Sequence, residues 1–151
     1  MTENTQTREM ILVPIDFQEA SLSALEMAKS LAACFGAEVV LLHAYRLLAQ
    51  TYPALRPADA PPWPGFYLEV ADAAGKALND LSAAHGGLRT ILVEGDPAQA
   101  ILLQAARHRP RMIVMGTHGR SGLEHLVLGS VAEKVVRQSL APVTVVRAPQ
   151  R

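Results

Sequence analysis

Short apolar runs alternate with segments of helical period along the whole chain, and this alternation restricts the fold more than any other feature. The runs are "ILVPIDF" (11–17), "EVVLLHAY" (38–45), "RTILVEG" (89–95), "RMIVMG" (111–116) and "PVTVVRA" (142–148). They carry many β-branched residues and are near-continuously apolar. A strand that is apolar on both sides must be covered on both sides, which calls for a parallel sheet between two layers of helix. The helical segments stand where such a fold needs its crossovers. "EASLSALEMAKSLAACFGA" places Leu22, Leu25, Ala28, Ala32 and Phe35 at helical spacing, with Gly36 as the stop. "YLEVADAAGKALNDLSAAHG" (67–86) and "SVAEKVVRQSL" (130–140) are two further helices. "DPAQAILLQAARH" (96–108) opens with Asp96 as N-cap, Pro97 at the first helical position and Gln99 at the capping-box position.

No linker or internal repeat divides the 151 residues. The expectation is therefore one doubly wound α/β domain spanning 1–151, a five-stranded parallel sheet with helices on both faces. One segment falls outside the pattern. "AQTYPALRPADAPPWPGF" (49–66) holds many prolines, which lack an amide donor and fix φ, so it reads as a long surface excursion without regular structure. Around Tyr52, Trp63 and Phe66 it is a candidate lid or partner surface.

Charge and cysteine content exclude several classes of function. Fourteen basic side chains balance fourteen acidic ones, so the excess positive charge that nonspecific nucleic-acid or anionic-membrane binding needs is missing. Arg107, His108, Arg109 and Arg111 cluster, yet no aromatic residue interleaves to stack bases, and a solvated helix-to-strand loop explains them. The single cysteine, Cys34, excludes an internal disulfide and a cysteine-based metal site, and its apolar surroundings point to a reduced core thiol. His43 reads as a core histidine bonded to backbone, and His118 as a solvent-facing turn residue. The polar N-terminus and the lack of a membrane-length apolar window lead us to expect a cytoplasmic protein.

In an open parallel sheet, ligands bind beyond the carboxyl ends of the strands, where strand order reverses. Orders 3-2-1-4-5 and 2-1-3-4-5 both put the first strand inside the sheet. Asp16 ends the first strand and Gly116 ends the fourth, and only the order 3-2-1-4-5 makes these strand ends neighbours. After Gly116 runs "GTHGRSGLEHLVLGS", a glycine-rich loop that delivers the chain to a helix starting at Ser130. A helix N-terminus offers unpaired N–H groups and partial positive charge, so it favours phosphate. Ser130 and Glu133 also satisfy the spacing of a capping box, and Asp16 with Glu19 satisfies that of an N-cap. These local roles are compatible with ligand binding. Neither a P-loop nor the dinucleotide GxGxxG is present.

Gly116-x2-Gly119-x9-Gly129-Ser130 resembles the ATP-binding signature of the universal stress protein family, and the resemblance extends through "VMGTHGRSGLEHLVLGSVAEKVVRQSLAPVTVV". "ILVPIDF" and "VEGDPAQAI" are similar to two further blocks of that family. The resemblance implies order 3-2-1-4-5, a homodimer, and ATP held between the ends of the first and fourth strands, with Mg²⁺ carried by the phosphates. By position, Asp16 would bond the ribose or adenine end, with Pro14 and Ile15 shaping its strand. Ala44 would line the adenine pocket, and Met115 and Gly116 would pass beneath the ribose and α-phosphate. Gly119 and Arg120 would face the phosphates, with Gly129, Ser130 and Val131 closing over them. Ala44, Gln18 and Ala132 depart from residues common in the family at those places, while the glycines and Asp16 are kept. The loop lacks a lysine or an evident base for phosphoryl transfer, so no catalytic residue is assigned and hydrolysis is expected to be slow at most. A nucleotide-free dimeric scaffold and an enzyme of the adenine-nucleotide α-hydrolase group are the alternatives. The last strand, at a sheet edge, would be covered by a second copy pairing through Val143 to Arg147.

Overall fold

The computed structural model describes residues 9–46, 64–117 and 128–149, with side chains of 64–68 left out of account. In chain order the elements are β1 (Met10–Pro14), α1 (Glu19–Phe35), β2 (Glu38–Tyr45), α2 (Pro64–Ala84), β3 (Arg89–Glu94), α3 (Pro97–His108), β4 (Met112–Gly116), α4 (Ser130–Gln138) and β5 (Val143–Val146). The strands form one parallel sheet of order β3-β2-β1-β4-β5, as the alternation and the strand-end argument require. β1 lies at its centre, with Ile11, Leu12 and Val13 wholly buried.

Side chains alternate across a strand, and both faces of the central strands are apolar, so the sheet carries two cores. On one face Ile11, Val13, Leu41 and Val114 pack against Ala24, Leu25 and Ala28 of α1 and Leu78 of α2. On the other, Leu12, Val40, Leu42 and Ile113 pack against Ile101 and Ala105 of α3 and Ala132 and Val135 of α4. This two-sided burial is what keeps the buried stretches of β1, β2 and β4 apolar at consecutive positions. The edge strands β3 and β5 are only partly buried.

Helix ends follow the local signals in most places. Gly36 closes α1 at φ 66°, a left-handed conformation that glycine adopts without a Cβ penalty. Asp96 caps α3 by accepting a hydrogen bond from the Gln99 amide at 3.1 Å, with Pro97 next in line. The last turn of α3 and the loop after it hold the basic cluster. Arg111 there is exposed, bonded to Glu9 and stacked 4.2 Å above the Phe35 ring.

Four readings are corrected. α2 begins at Pro64, so Pro64 to Phe66 belong to a helix rather than to the excursion. Proline at the first helical position forfeits an amide that has no intrahelical partner anyway. The rest of the proline-rich segment, including Tyr52 and Trp63, lies outside the described residues. Cys34 is exposed, because the buried stripe of α1 runs through Ser21, Ala24, Leu25, Ala28 and Ala32, and position 34 falls on the opposite side. Leu22 and Phe35 are also largely exposed, at 38% and 40%, so the stripe is narrower than the spacing implied and is built mainly from alanine. Gln18, rather than Asp16, stands at the N-cap of α1.

The narrow stripe has a measurable consequence. Leu25→Ala empties fully buried space and is expected to cost about 2–5 kcal/mol, whereas Leu22→Ala is expected to cost no more than about 1 kcal/mol. Urea unfolding of the two variants checks the contrast.

Candidate functional site

Two strand ends and two helix starts meet at the carboxyl edge of the sheet centre. β1 leaves its ladder after Pro14, and the Ile15 amide makes one more bond, to the Leu42 carbonyl at 2.8 Å. Asp16 then turns the chain into α1. Its Oδ1 accepts from the Gln18 amide at 2.9 Å, and its own amide reaches Ser21 Oγ at 3.4 Å. Ser21 is buried and donates to the Gln18 carbonyl at 2.9 Å, which locks the turn from inside. The Asp16 carboxylate keeps its second oxygen without a partner among the described residues, so it can accept from a ligand hydroxyl.

β4 ends directly beneath this turn. A Cβ on Gly116 would stand 2.8 Å from both the Ala20 carbonyl carbon and the Ser21 amide nitrogen. Gly116 is therefore demanded by the protein's own backbone, which brings the end of β4 under the first turn of α1. Thr117, next in the chain, is buried and knits three segments together. Its amide donates to the Val146 carbonyl at 2.9 Å, and its carbonyl accepts from the Gly129 amide at 2.7 Å. That second bond returns the chain to β4 at the start of α4.

The start of α4 is open. Gly129 occupies the N-cap position with φ −59° and ψ 152°, and no side chain caps the helix. Glu133 N–H closes the first intrahelical bond to the Gly129 carbonyl at 2.8 Å. The amides of Ser130, Val131 and Ala132 precede it in the first turn, where an α-helix supplies no acceptor. Ser130 is exposed, and its hydroxyl has no partner among the described residues, so the capping-box role with Glu133 is not taken up. Glu133 instead pairs with Arg137 at 3.0 Å. The backbone of Gly129 is one that any residue adopts, so positive φ is not what favours glycine there.

The structure thus brings Asp16, Gly116, Gly129, Ser130 and Val131 to one edge. Pro14, Ile15 and Ala44 lie along it at the ends of β1 and β2. The side chains of Ile15 and Met115 are buried, each only 4% exposed, and belong to the two cores. Gly119, Arg120 and His118 lie outside the described residues. Sequence reasoning missed Ser21, Thr117 and a rim network in which Asp96 pairs with Arg46 and lies 4.0 Å from Lys134. The cap motif at Asp96 was legible, but nothing in the spacing joins it to residues 46 and 134.

The site is electrically polar. A carboxylate stands at the β1 end and a partly positive helix start at the β4 end, so a ligand with hydroxyls at one end and an anion at the other fits the pair. Among the described residues no group of three His, Cys, Asp or Glu gathers to hold a metal. Nor is any of their helices long and apolar enough to cross a membrane. Among the described residues the one clear pKa displacement lies elsewhere. Lys76, on the exposed face of α2, is raised by its hydrogen bond with Asp80 and then by the Asp80 charge. A shallow cavity of about 340 Å³ opens at the amino ends of β2 and β3, the wrong end of the sheet for this fold's ligands. Its charged rim is already paired, Arg89 with Glu38 at 2.9 Å.

This arrangement defines an α/β domain with an anion-ready helix start at its topological switch point. The pattern of the universal stress protein family matches residues 7–147, and the chain belongs to that family. It is 34% identical over 145 residues to universal stress protein MJ0531 of Methanocaldococcus jannaschii, covering 93% of this chain and 83% of that one. Among solved structures it is similar to MJ0577, with a TM-score of 0.70, 28% identity and coverage of 95% and 98%. It is also similar to a universal stress protein in complex with cAMP, with a TM-score of 0.65, 23% identity and coverage of 93% and 98%. At that identity the second likeness concerns the fold alone.

The packing of Gly116 makes a test possible. Gly116→Ala forces a Cβ into fixed backbone and is expected to cost about 1–3 kcal/mol. Gly36→Ala meets no atom within 4 Å and should cost only the left-handed conformation, about 1 kcal/mol. Thermal and urea unfolding should therefore rank Gly116→Ala as the more damaging.

Proposed function

We propose that the chain is a cytoplasmic regulatory protein of the stress-response type that binds ATP between the ends of β1 and β4. The observation that carries this reading is the uncapped start of α4, held beside the end of β4 by the Gly129–Thr117 bond, at the same edge of the sheet as the Asp16 turn. Phosphates accept from the amides of Ser130 and Val131 and from the Ser130 hydroxyl, while Mg²⁺ is carried by the phosphates. Asp16 accepts from the ribose or adenine end. Pro14, Ile15 and Ala44 form the wall on the β1 and β2 side, and the backbone of Met115 and Gly116 forms the floor. Gly119 and Arg120 complete the phosphate contacts.

Hydrolysis, on this reading, is slow at most. Phosphoryl transfer needs a positioned base and cations on the γ-phosphate. The loop from Gly116 to Ser130 contains no lysine, and Lys134 on α4 is shared with Asp96 at 4.0 Å. Binding and release, rather than turnover, would then be the signal.

Calorimetry with ATP and adenosine separates the two ends of the site. Charge-assisted hydrogen bonds contribute roughly 1.5–3 kcal/mol each, and about 1.4 kcal/mol is tenfold in affinity. Ser130→Ala is expected to weaken ATP binding by about tenfold and leave adenosine unchanged. Gly129→Val should weaken ATP by crowding the phosphate, by about tenfold or more. Asp16→Ala should weaken both ligands alike. Unmodified protein giving no heat with millimolar ATP and magnesium would defeat the reading and favour a nucleotide-free scaffold.

We also propose a homodimer. Among the described residues β5 pairs only with β4, so its outer edge, along Val143 to Arg147, has no strand partner among them. A second copy pairing there covers that edge. Sedimentation at micromolar concentration should give twice the 16.2 kDa of one chain, and a strict monomer would contradict it.

A further inference from the structure

His43 touches the Asp16 turn on both sides. Its Nδ1 lies 2.7 Å from the Ile15 carbonyl, immediately before Asp16. Its ring stands 4.8 Å from that of Phe17, immediately after Asp16, at an interplanar angle of 58°. A carbonyl oxygen can only accept, so Nδ1 carries the hydrogen. The Ile15 amide is meanwhile bonded to the Leu42 carbonyl. Both polar backbone groups of Ile15 are therefore fixed on β2, one by main chain and one by the imidazole.

Phe17 needs such support. Its φ is 63°, in the left-handed region, which is unfavourable for a residue with a bulky side chain. Strain of this kind persists only where the surroundings over-determine it. Three contacts act here: the His43 ring on Phe17, the Gln18 amide on Asp16 Oδ1, and the Ser21 hydroxyl on the Gln18 carbonyl. The last two are local to α1. Among the described residues, His43 is the one side chain of a neighbouring strand that hydrogen-bonds the turn.

We infer that His43 is a positioning residue for nucleotide binding: it clamps Ile15 and Phe17 so that the Asp16 carboxylate between them faces the ribose–adenine end of the ligand. The inference rests on the ATP-binding reading above and adds to it a residue whose role is indirect. His43 acts through Asp16, so its loss should be felt at the nucleoside end and not at the phosphates.

Two substitutions divide the clamp. His43→Phe keeps an aromatic ring and removes the donor to Ile15. His43→Asn keeps a donor at the δ position and removes the ring. Loss of one hydrogen bond from the clamp should weaken ATP and adenosine by the same factor, about fivefold in His43→Phe. His43→Asn should recover binding to within about twofold of the unmodified protein. Combined with Asp16→Ala, His43→Phe should produce no further loss, whereas with Ser130→Ala its effect on ATP should multiply. Melting temperatures confirm that each variant is folded. Long-range proton–nitrogen NMR on unmodified protein should show the Nδ1–H form of His43, a readout that needs no variant. An Nε2–H form would overturn the inference, as would a folded His43→Phe that binds both ligands like the unmodified protein, or full additivity with Asp16→Ala. Should the unmodified protein bind neither ligand, the ATP-binding reading falls and the positioning role with it. Should it bind both and only the His43 variants be silent, this inference alone falls.

Discussion

A side chain on Gly116 would stand 2.8 Å from the backbone of Ala20 and Ser21, and much of the site's geometry follows from that missing Cβ. It lets α1 settle onto β4 at the point where β4 ends. The close approach continues down α1 through Ala24 and Ala28, both wholly buried. Because the contact is backbone against backbone, the Asp16 turn and the end of β4 have little freedom to separate. Thr117 then fixes the other boundary, bonding β5 with its amide and Gly129 with its carbonyl. The edge where a ligand would sit is thus framed by main-chain contacts, which thermal motion of side chains does not loosen.

Within that frame the two halves of the site differ in chemistry. The β1 half presents a carboxylate with one oxygen already used, on Gln18, and one open. The α4 half presents backbone donors and a hydroxyl. On the proposed reading this opposition would select a ligand by its ends, and a domain with no net charge would need no broad basic surface to attract an anion. The rim pair of Arg46 and Asp96, with Lys134 close by, ties the tops of β2, α3 and α4 together. It leaves Lys134 engaged with a carboxylate, which accords with the proposal that phosphate would be held rather than transferred.

The parallel sheet between two helical layers was legible because burial on both faces leaves a mark that composition cannot hide: β1, β2 and β4 are apolar at consecutive positions. The order followed from treating the ends of β1 and β4, at Asp16 and Gly116, as neighbours in one site, which the sheet bears out. The start of α2 was not, because proline forbids the helix interior but suits its first position, and "PPWPGF" does not say which proline begins the helix. Cys34 and Phe35 were misplaced for a related reason. A stripe made largely of alanine is narrow, and neighbours on a helix differ by 100°. Gly116 was placed beneath the ligand by resemblance, but the packing demand of Ala20 and Ser21 for a glycine there was not foreseen. A close contact between segments nearly a hundred residues apart leaves no local trace. Neither does the left-handed φ of Phe17, which only its contacts make tenable.

The central claim is that phosphate lies on the start of α4 and the nucleoside on the Asp16 turn. Amide NMR of the labelled protein, titrated with ATP and separately with adenosine, tests it most directly. The account predicts that ATP shifts the amides of Ser130, Val131 and Ala132 together with those of Asp16 and Phe17, while adenosine shifts only the second group. Shifts confined to the Lys29–Arg89 cavity at the opposite end of the sheet, or identical shifts at Ser130 to Ala132 with both ligands, would contradict it.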